Sequence, residues 1–263
     1  MTIMKNWRVL VCLGLIFLGG CRVAGPPLPP PEASVREVIA RLHSRQEGVT
    51  SFAGRGRLIL LSPERNASGS ASLKGRFPDS LRVEVYDLLG RSLFSLATHR
   101  GDMELLFPRE GKYFQGPATP ANLAAFIPPG VSLPQALRLL TGDLPLSPGD
   151  PARMRYEAET GLYVLEWLNP DGSLRERLWV EPQTYAPRRQ EWYGERGALL
   201  FQAELGDYAG PPPGRPRQIK VLTPANQGEL RLTYKEFSLN PPLAAGDLKL
   251  TKPPGVTELP LKP

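Results

Sequence analysis

Cysteine is nearly absent: Cys12 and Cys21 are the only two in 263 residues, and both fall within the first 21. No disulfide, thiol nucleophile or cysteine-bound metal is therefore available to the rest of the chain, which must hold itself together by apolar burial. Histidine is as scarce. His43 and His99 stand far apart in no paired motif, so neither a zinc site nor a Cys/His nucleophile is expected, nor any other metal or cofactor. No nucleophile elbow or Ser/His/Asp pattern surrounds any serine, which argues against an enzyme. Gly54-Arg55-Gly56 leads into a strand and lacks a third placed glycine, so it is not a phosphate loop. The run Val9 to Leu18 is only about ten residues long, short of the roughly twenty a spanning helix needs. Blocks of like charge are missing too. The formal net charge is +6, with Lys and Arg scattered over predicted strand faces; this is weak support for nucleic acid and fits a solvated surface with some attraction to anionic lipid.

What is present begins at the N-terminus. Lys5 and Arg8, the apolar run and Gly19-Gly20 read as a signal peptide over residues 1–20. Leu18-Gly19-Gly20-Cys21 resembles the lipobox of bacterial lipoproteins. That resemblance implies cleavage before Cys21 and lipidation of Cys21, with several acyl chains, palmitate among them, giving a stable membrane anchor and no catalytic thiol. Arg22, where an Asp is the familiar inner-membrane retention signal, implies the outer membrane and a periplasm-facing domain. Loss of Lys5 and Arg8 takes the charge from +6 to +4. Residues 21–31, with Gly25-Pro26-Pro27-Leu28-Pro29-Pro30-Pro31, form a Pro-rich tether; at about 3.1 Å per residue it spans roughly 30 Å.

Residues 32–263 read as a single domain. Val35, Val38, Ile39 and Leu42 fall at helical spacing between charged residues, which predicts one amphipathic helix over 32–47, with Ser34 as N-cap, Glu37 completing a capping box and Gly48 as stop. His43 lies near its end, in a surface or dipole role. After Gly48 the period becomes two. Leu81, Val83 and Val85 alternate with Arg82, Glu84 and Tyr86, and Leu230, Leu232 and Tyr234 with Arg231, Thr233 and Lys235. Antiparallel strands with one buried face are expected near 52–61, 68–77, 80–87, 91–99, 102–107, 111–115, 152–159, 162–168, 173–181, 185–193, 197–207, 217–223 and 228–237. Asn169-Pro170-Asp171-Gly172 and Glu195-Arg196-Gly197 mark tight turns. The fold class is mainly β (α+β): an incomplete, strongly curved antiparallel β-barrel with an N-terminal helix and a short helical lid insertion.

That insertion is expected near 118–146. Thr119-Pro120 begins a short helix through Ile127, Pro128-Pro129-Gly130 ends it, and Ser132 begins a second with Leu133, Ala136, Leu137 and Leu140 on one face, closed by Gly142. It either plugs the open, apolar side of the curved sheet or merely connects strands over the core. Beyond Phe237 the Pro-rich chain is expected to wrap the domain as edge or coil.

The lipobox, tether, N-terminal helix, half-barrel and two-helix insertion together resemble the outer-membrane lipoprotein receptor family LolB, within the LolA/LolB lipoprotein-localisation fold. Gly56-Arg57-Leu58, Ser68-Gly69-Ser70, Asp87-Leu88-Leu89-Gly90 and Leu139-Leu140-Thr141-Gly142-Asp143-Leu144-Pro145 stand where that family has its first-strand, second-strand, turn and insertion patterns. The likeness covers roughly residues 34 to 237; Phe52 and Leu139 stand where a Trp is common, no Trp follows Gly69, and Leu88 replaces a turn proline. It implies a monomer that takes lipoprotein acyl chains from a periplasmic, LolA-like carrier into an apolar cavity and inserts the lipoprotein in the outer membrane, acting as a chaperone of lipoprotein localisation and protein transport. The alternative is a lipid- or lipoprotein-binding envelope sensor or scaffold without insertion activity. Candidate cavity residues are Leu81, Val83, Val85, Leu93, Phe94, Leu96, Leu105 and Phe107 on strands, with Phe126, Ile127, Leu137 and Leu140 in the lid. Leu88 and Leu89 either fold inward as hairpin staples or, as the resemblance implies above all for Leu89, stand exposed and touch membrane lipid.

Overall fold

The computed structural model describes residues 33–63, 66–211 and 214–262. The expected signal peptide, the expected lipidation site Cys21 and the expected tether lie outside them. The first element is helix α1, Val35–Gln46. Ser34 Oγ accepts from the Glu37 amide at 3.2 Å, so the expected cap is made. The Glu37 carboxylate takes another partner: it accepts from the Tyr185 hydroxyl at 2.9 Å and ties the helix to the turn at Tyr185. Gly48 follows at φ +71°, a left-handed position suited to a stop.

Strands β1 (Ser51–Leu61), β2 (Ala67–Arg76), β3 (Ser80–Tyr86), β4 (Ser92–His99), β5 (Asp102–Phe107) and β6 (Lys112–Pro117) form the first meander. Helices α2 (Pro120–Leu123) and α3 (Leu133–Leu140) interrupt it. The chain resumes with β7 (Arg153–Glu157), β8 (Leu162–Leu168), β9 (Leu174–Val180), β10 (Pro187–Tyr193), β11 (Leu199–Ala209), β12 (Arg215–Thr223), β13 (Gly228–Leu239) and β14 (Thr257–Pro260). They make one sheet of 14 strands in the order β14-β6-β5-β4-β3-β2-β1-β13-β12-β11-β10-β9-β8-β7. Pairing β1 with β13 joins the two meanders, while β14 and β7 remain unpaired with each other, so the curved sheet stays open. The curvature needs close backbone approach. A Cβ at Gly56, beside the β1–β13 register shift, would stand 2.1 Å from the Thr233 carbonyl oxygen, and one at Gly75 would stand 2.2 Å from the Phe52 ring.

Three element boundaries need correction. Helix α2 ends at Leu123 and not at Ile127, because Pro128 disfavours helical backbone just before it; the Phe126 and Ile127 amides instead close a turn on the Leu123 carbonyl at 2.8 and 3.0 Å. Strand β7 is shorter than 152–159, and β12 begins two residues earlier than 217. The C-terminal stretch, expected as edge or coil, supplies an edge: β14 adds in parallel to β6 and becomes the outermost strand on that side. Upstream of it Leu250 and Val256 cover Ala97, Leu106 and Tyr113 on the outer face. The Leu250 amide and the Tyr113 hydroxyl both donate to Glu104, at 2.9 and 2.7 Å.

Candidate functional site: apolar concave face, helical cover and exposed turn

Cross-strand register lines up Leu73, Val83, Leu96, Leu105 and Phe114 across β2 to β6, and puts Ala71, Val85 and Phe94 in a neighbouring row. Alternation sends both rows to the same face. Of the strand residues singled out in the sequence, Leu81, Val85, Leu96 and Leu105 are buried; Val83, Leu93, Phe94 and Phe107 are half-buried against the same cluster. Leu93 reaches it beside Phe94 because the pairing passes from Val85–Phe94 to Tyr86–Ser92, leaving Leu93 as the extra residue of a bulge. The Phe107 ring meets Phe94 at 6.4 Å and Phe114 at 6.0 Å.

The insertion covers this face. Leu137 is fully buried in the shared core, with Leu139 nearly so, and Leu140, Phe126 and Ile127 pack against it. The structure thus gathers all twelve candidates into one cluster. Sequence reading missed the opposite wall, where Leu165, Trp167, Leu178, Phe201, Ile219 and Leu232 belong to the same core. The alternation Tyr163, Leu165, Trp167 carried that signal.

Polar contacts fix the cover at its C-terminal end. The Tyr234 hydroxyl donates to the Leu140 carbonyl at 2.9 Å, and burial pushes that phenol's pKa upward. Asp143, 2 % exposed, faces Arg45 of α1 at 3.6 Å and Arg215 of β12 at 2.5 Å. Arg215 also donates to the carbonyls of Arg45 and Thr141, at 2.6 and 3.1 Å. Burial lowers the Arg45 pKa, with the Asp143 charge opposing that shift. Arg138 donates to the Gln46 carbonyl at 3.0 Å and lies 4.0 Å over the Phe77 ring. Farther along, Glu176 accepts from the Ser147 amide at 3.1 Å and from Gln190 Nε2 at 2.6 Å; burial raises its pKa.

The turn between β3 and β4 is built the opposite way. Leu88 is 93 % exposed and Leu89 76 %, so neither is an inward staple. Asp87 holds the turn from beneath: its Oδ1 accepts from the amides of Leu89 and Arg91 at 2.9 and 3.0 Å, and its Oδ2 from the Arg91 and Arg109 side chains at 2.8 and 2.6 Å. These bonds, those from the Arg91 amide foremost, hold its carboxyl below the usual carboxylate range. Gly90 takes φ +75°, and its amide closes on the Asp87 carbonyl at 3.0 Å.

One Ser/His contact exists that no motif announced. Ser80 Oγ lies 2.9 Å from His99 Nδ1, but Asp79 faces the serine at 3.0 Å and not the imidazole, and Ser80 is buried. In a triad the carboxylate orients the histidine, so this arrangement closes a turn. His43 is exposed on α1. Among the described residues no group of three acidic, His or Cys side chains could hold a metal, and no helix is long and apolar enough to cross a membrane.

An open antiparallel half-barrel with an N-terminal helix and an apolar inner face under a helical insertion is the LolA-like fold, and the chain has it. Solved structures bear this out. A domain from Vibrio parahaemolyticus, described as an outer membrane lipoprotein-sorting protein, aligns over 82 % of this chain and 97 % of its own at 15 % identity and TM-score 0.53. A LolA superfamily protein from Nitrosomonas europaea aligns over 83 % and 99 % at 14 % identity and TM-score 0.50. A DUF1329 family protein from Desulfovibrio piger aligns over 82 % and 95 % at 12 % identity and TM-score 0.55. No protein-family profile matches the sequence, and no curated protein matches it.

Proposed function

We propose that this protein is an outer-membrane lipoprotein, anchored through Cys21, that accepts lipoproteins from a periplasmic LolA-like carrier onto its apolar concave face and inserts them in the outer membrane. The observation that carries this reading is the Asp87-braced turn, which presents Leu88 and Leu89 to solvent at the rim of an apolar half-barrel. Two adjacent leucines held outward gain nothing for folding, and an apolar acceptor explains them. Transfer then requires no catalytic side chain. Acyl chains moving from a weaker apolar site to a tighter one and on to a bilayer run downhill on burial, at about 25 cal/mol per Å².

Acceptance is tested by native mass spectrometry of a form starting after Cys21, mixed with a lipoprotein-loaded carrier. Cargo appearing on this protein supports the proposal. Cargo remaining on the carrier, while this protein keeps some other lipid, points instead to an envelope sensor or scaffold.

A further inference from the structure

Three large apolar side chains are exposed among the described residues: Leu61, Leu88 and Leu89. Strand register puts them on one rim. Leu60 pairs with Ala67 of β2, and Ser70 of β2 pairs with Tyr86 of β3, so the end of β1 stands level with the β3–β4 turn, one strand apart. With strands about 4.8 Å apart, the two apolar points lie on the order of 10 Å from each other. The next turn along the rim, between β5 and β6, is drawn in by Arg109, whose guanidinium reaches Asp87 at 2.6 Å. Arg91 meets the same carboxylate oxygen at 2.8 Å. One carboxylate thus holds two guanidiniums whose side chains are 56 % and 65 % exposed, which leaves one positive charge in excess beside the leucines. Nearby, among the described residues, Lys112 is paired with Glu110 and Arg231 with Glu229.

We propose that this rim, carrying Leu61, Leu88, Leu89, Arg91 and Arg109, is a docking surface for the anionic headgroup layer of a phospholipid bilayer. It rests on the membrane-facing turn of the proposed function and adds a second apolar contact and a lipid class. The leucines enter the interface while the two guanidiniums, pre-oriented by Asp87, take phosphate oxygens; the planar fork of Arg suits that geometry. A bilayer suits the rim better than an acidic protein does, because the leucines project from a turn and demand a yielding apolar phase.

Sedimentation of the form lacking Cys21 with phosphatidylcholine vesicles, and with vesicles containing phosphatidylglycerol, tests this. The wild-type domain is expected to favour the anionic vesicles and to lose that preference as salt rises. Each cation near an anionic surface contributes about fivefold, so Arg91→Gln with Arg109→Gln should cost about twenty-five-fold on anionic vesicles and little on neutral ones. The Arg91→Lys, Arg109→Lys variant keeps the charge and should retain most of the preference. Arg55→Gln, which removes one positive charge at mid-strand, should have no effect, against the roughly fivefold expected for either rim arginine alone; Leu61→Ser should cost a few-fold on both vesicle types. Equal binding to both vesicles, unmoved by salt or by the arginine pair, overturns the inference. If Leu89→Glu still abolishes that binding, the membrane-facing turn survives alone. Binding to neither vesicle removes both, and arginine variants that impair only uptake from the carrier assign the rim to an acidic protein.

Discussion

Leu88 and Leu89 are 93 % and 76 % exposed, whereas Leu137 and Leu139, an equally apolar pair in the insertion, are 0 % and 5 % exposed. The same side chain serves two purposes. In the insertion it is matched by apolar partners from the concave face, and polar contacts at Tyr234 and Asp143 hold the helix over them. At the rim the polar contacts are equally well made, but they hold the backbone so that the side chains have no partner. Fixing a turn costs conformational entropy, and here that cost is not offset by burial of its apolar residues. The insertion thus contributes stability, and the rim is left available for an external apolar phase.

The sharpest way to break this contrast is to release the cover. Asp143→Asn leaves Arg45 and Arg215 facing each other without their shared carboxylate, and removing one partner of a buried ion pair costs about 3–5 kcal/mol; the loss is read by urea denaturation. Leu137→Ala is next, at about 3 kcal/mol for a fully buried leucine, measured in the same way.

A subtler probe lies where the chain leaves the cover, at Ser147 and Glu176. Burial raises the Glu176 pKa in the folded state above its unfolded value of about 4.3. The stability linked to this group is therefore complete below the unfolded value and is lost as pH rises through the raised folded value. Thermal midpoints measured from pH 4 to pH 8, each a chosen buffer value, should fall with rising pH in the wild type relative to Glu176→Gln. Parallel curves would remove Glu176 as a source of pH dependence. The smallest effect belongs to the rim: Leu88→Ser or Leu89→Ser should change unfolding stability by no more than about 0.5 kcal/mol, as expected of exposed positions. A larger loss would show that the turn is part of the core after all.

Much of this was legible in the chain. Period-two alternation at Leu81, Val83 and Val85 located a strand, and Asn169-Pro170-Asp171-Gly172 located the β8–β9 turn, because both signals are local. Ser132 announced α3 for the same reason, and Gln135 completes its capping box at 2.8 Å from the Ser132 amide. The contacts of Asp143 could not be read in this way, since Arg45 and Arg215 lie far from it in sequence and meet it only through the fold. The β14 pairing also depended on a distant partner, the free edge of β6. Leu88 and Leu89 posed a different problem: a hairpin turn admits an inward or outward side chain, and the choice rests on hydrogen bonds from Arg91 and on Arg109 of another turn.

The most direct test of the account is delivery by Leu89→Glu. Purified protein carrying a bound lipoprotein is mixed with liposomes, and cargo is followed both on the protein and in the bilayer. The account predicts that the variant accepts cargo as the wild type does and fails to pass it to the membrane. Undiminished delivery by Leu89→Glu would contradict it.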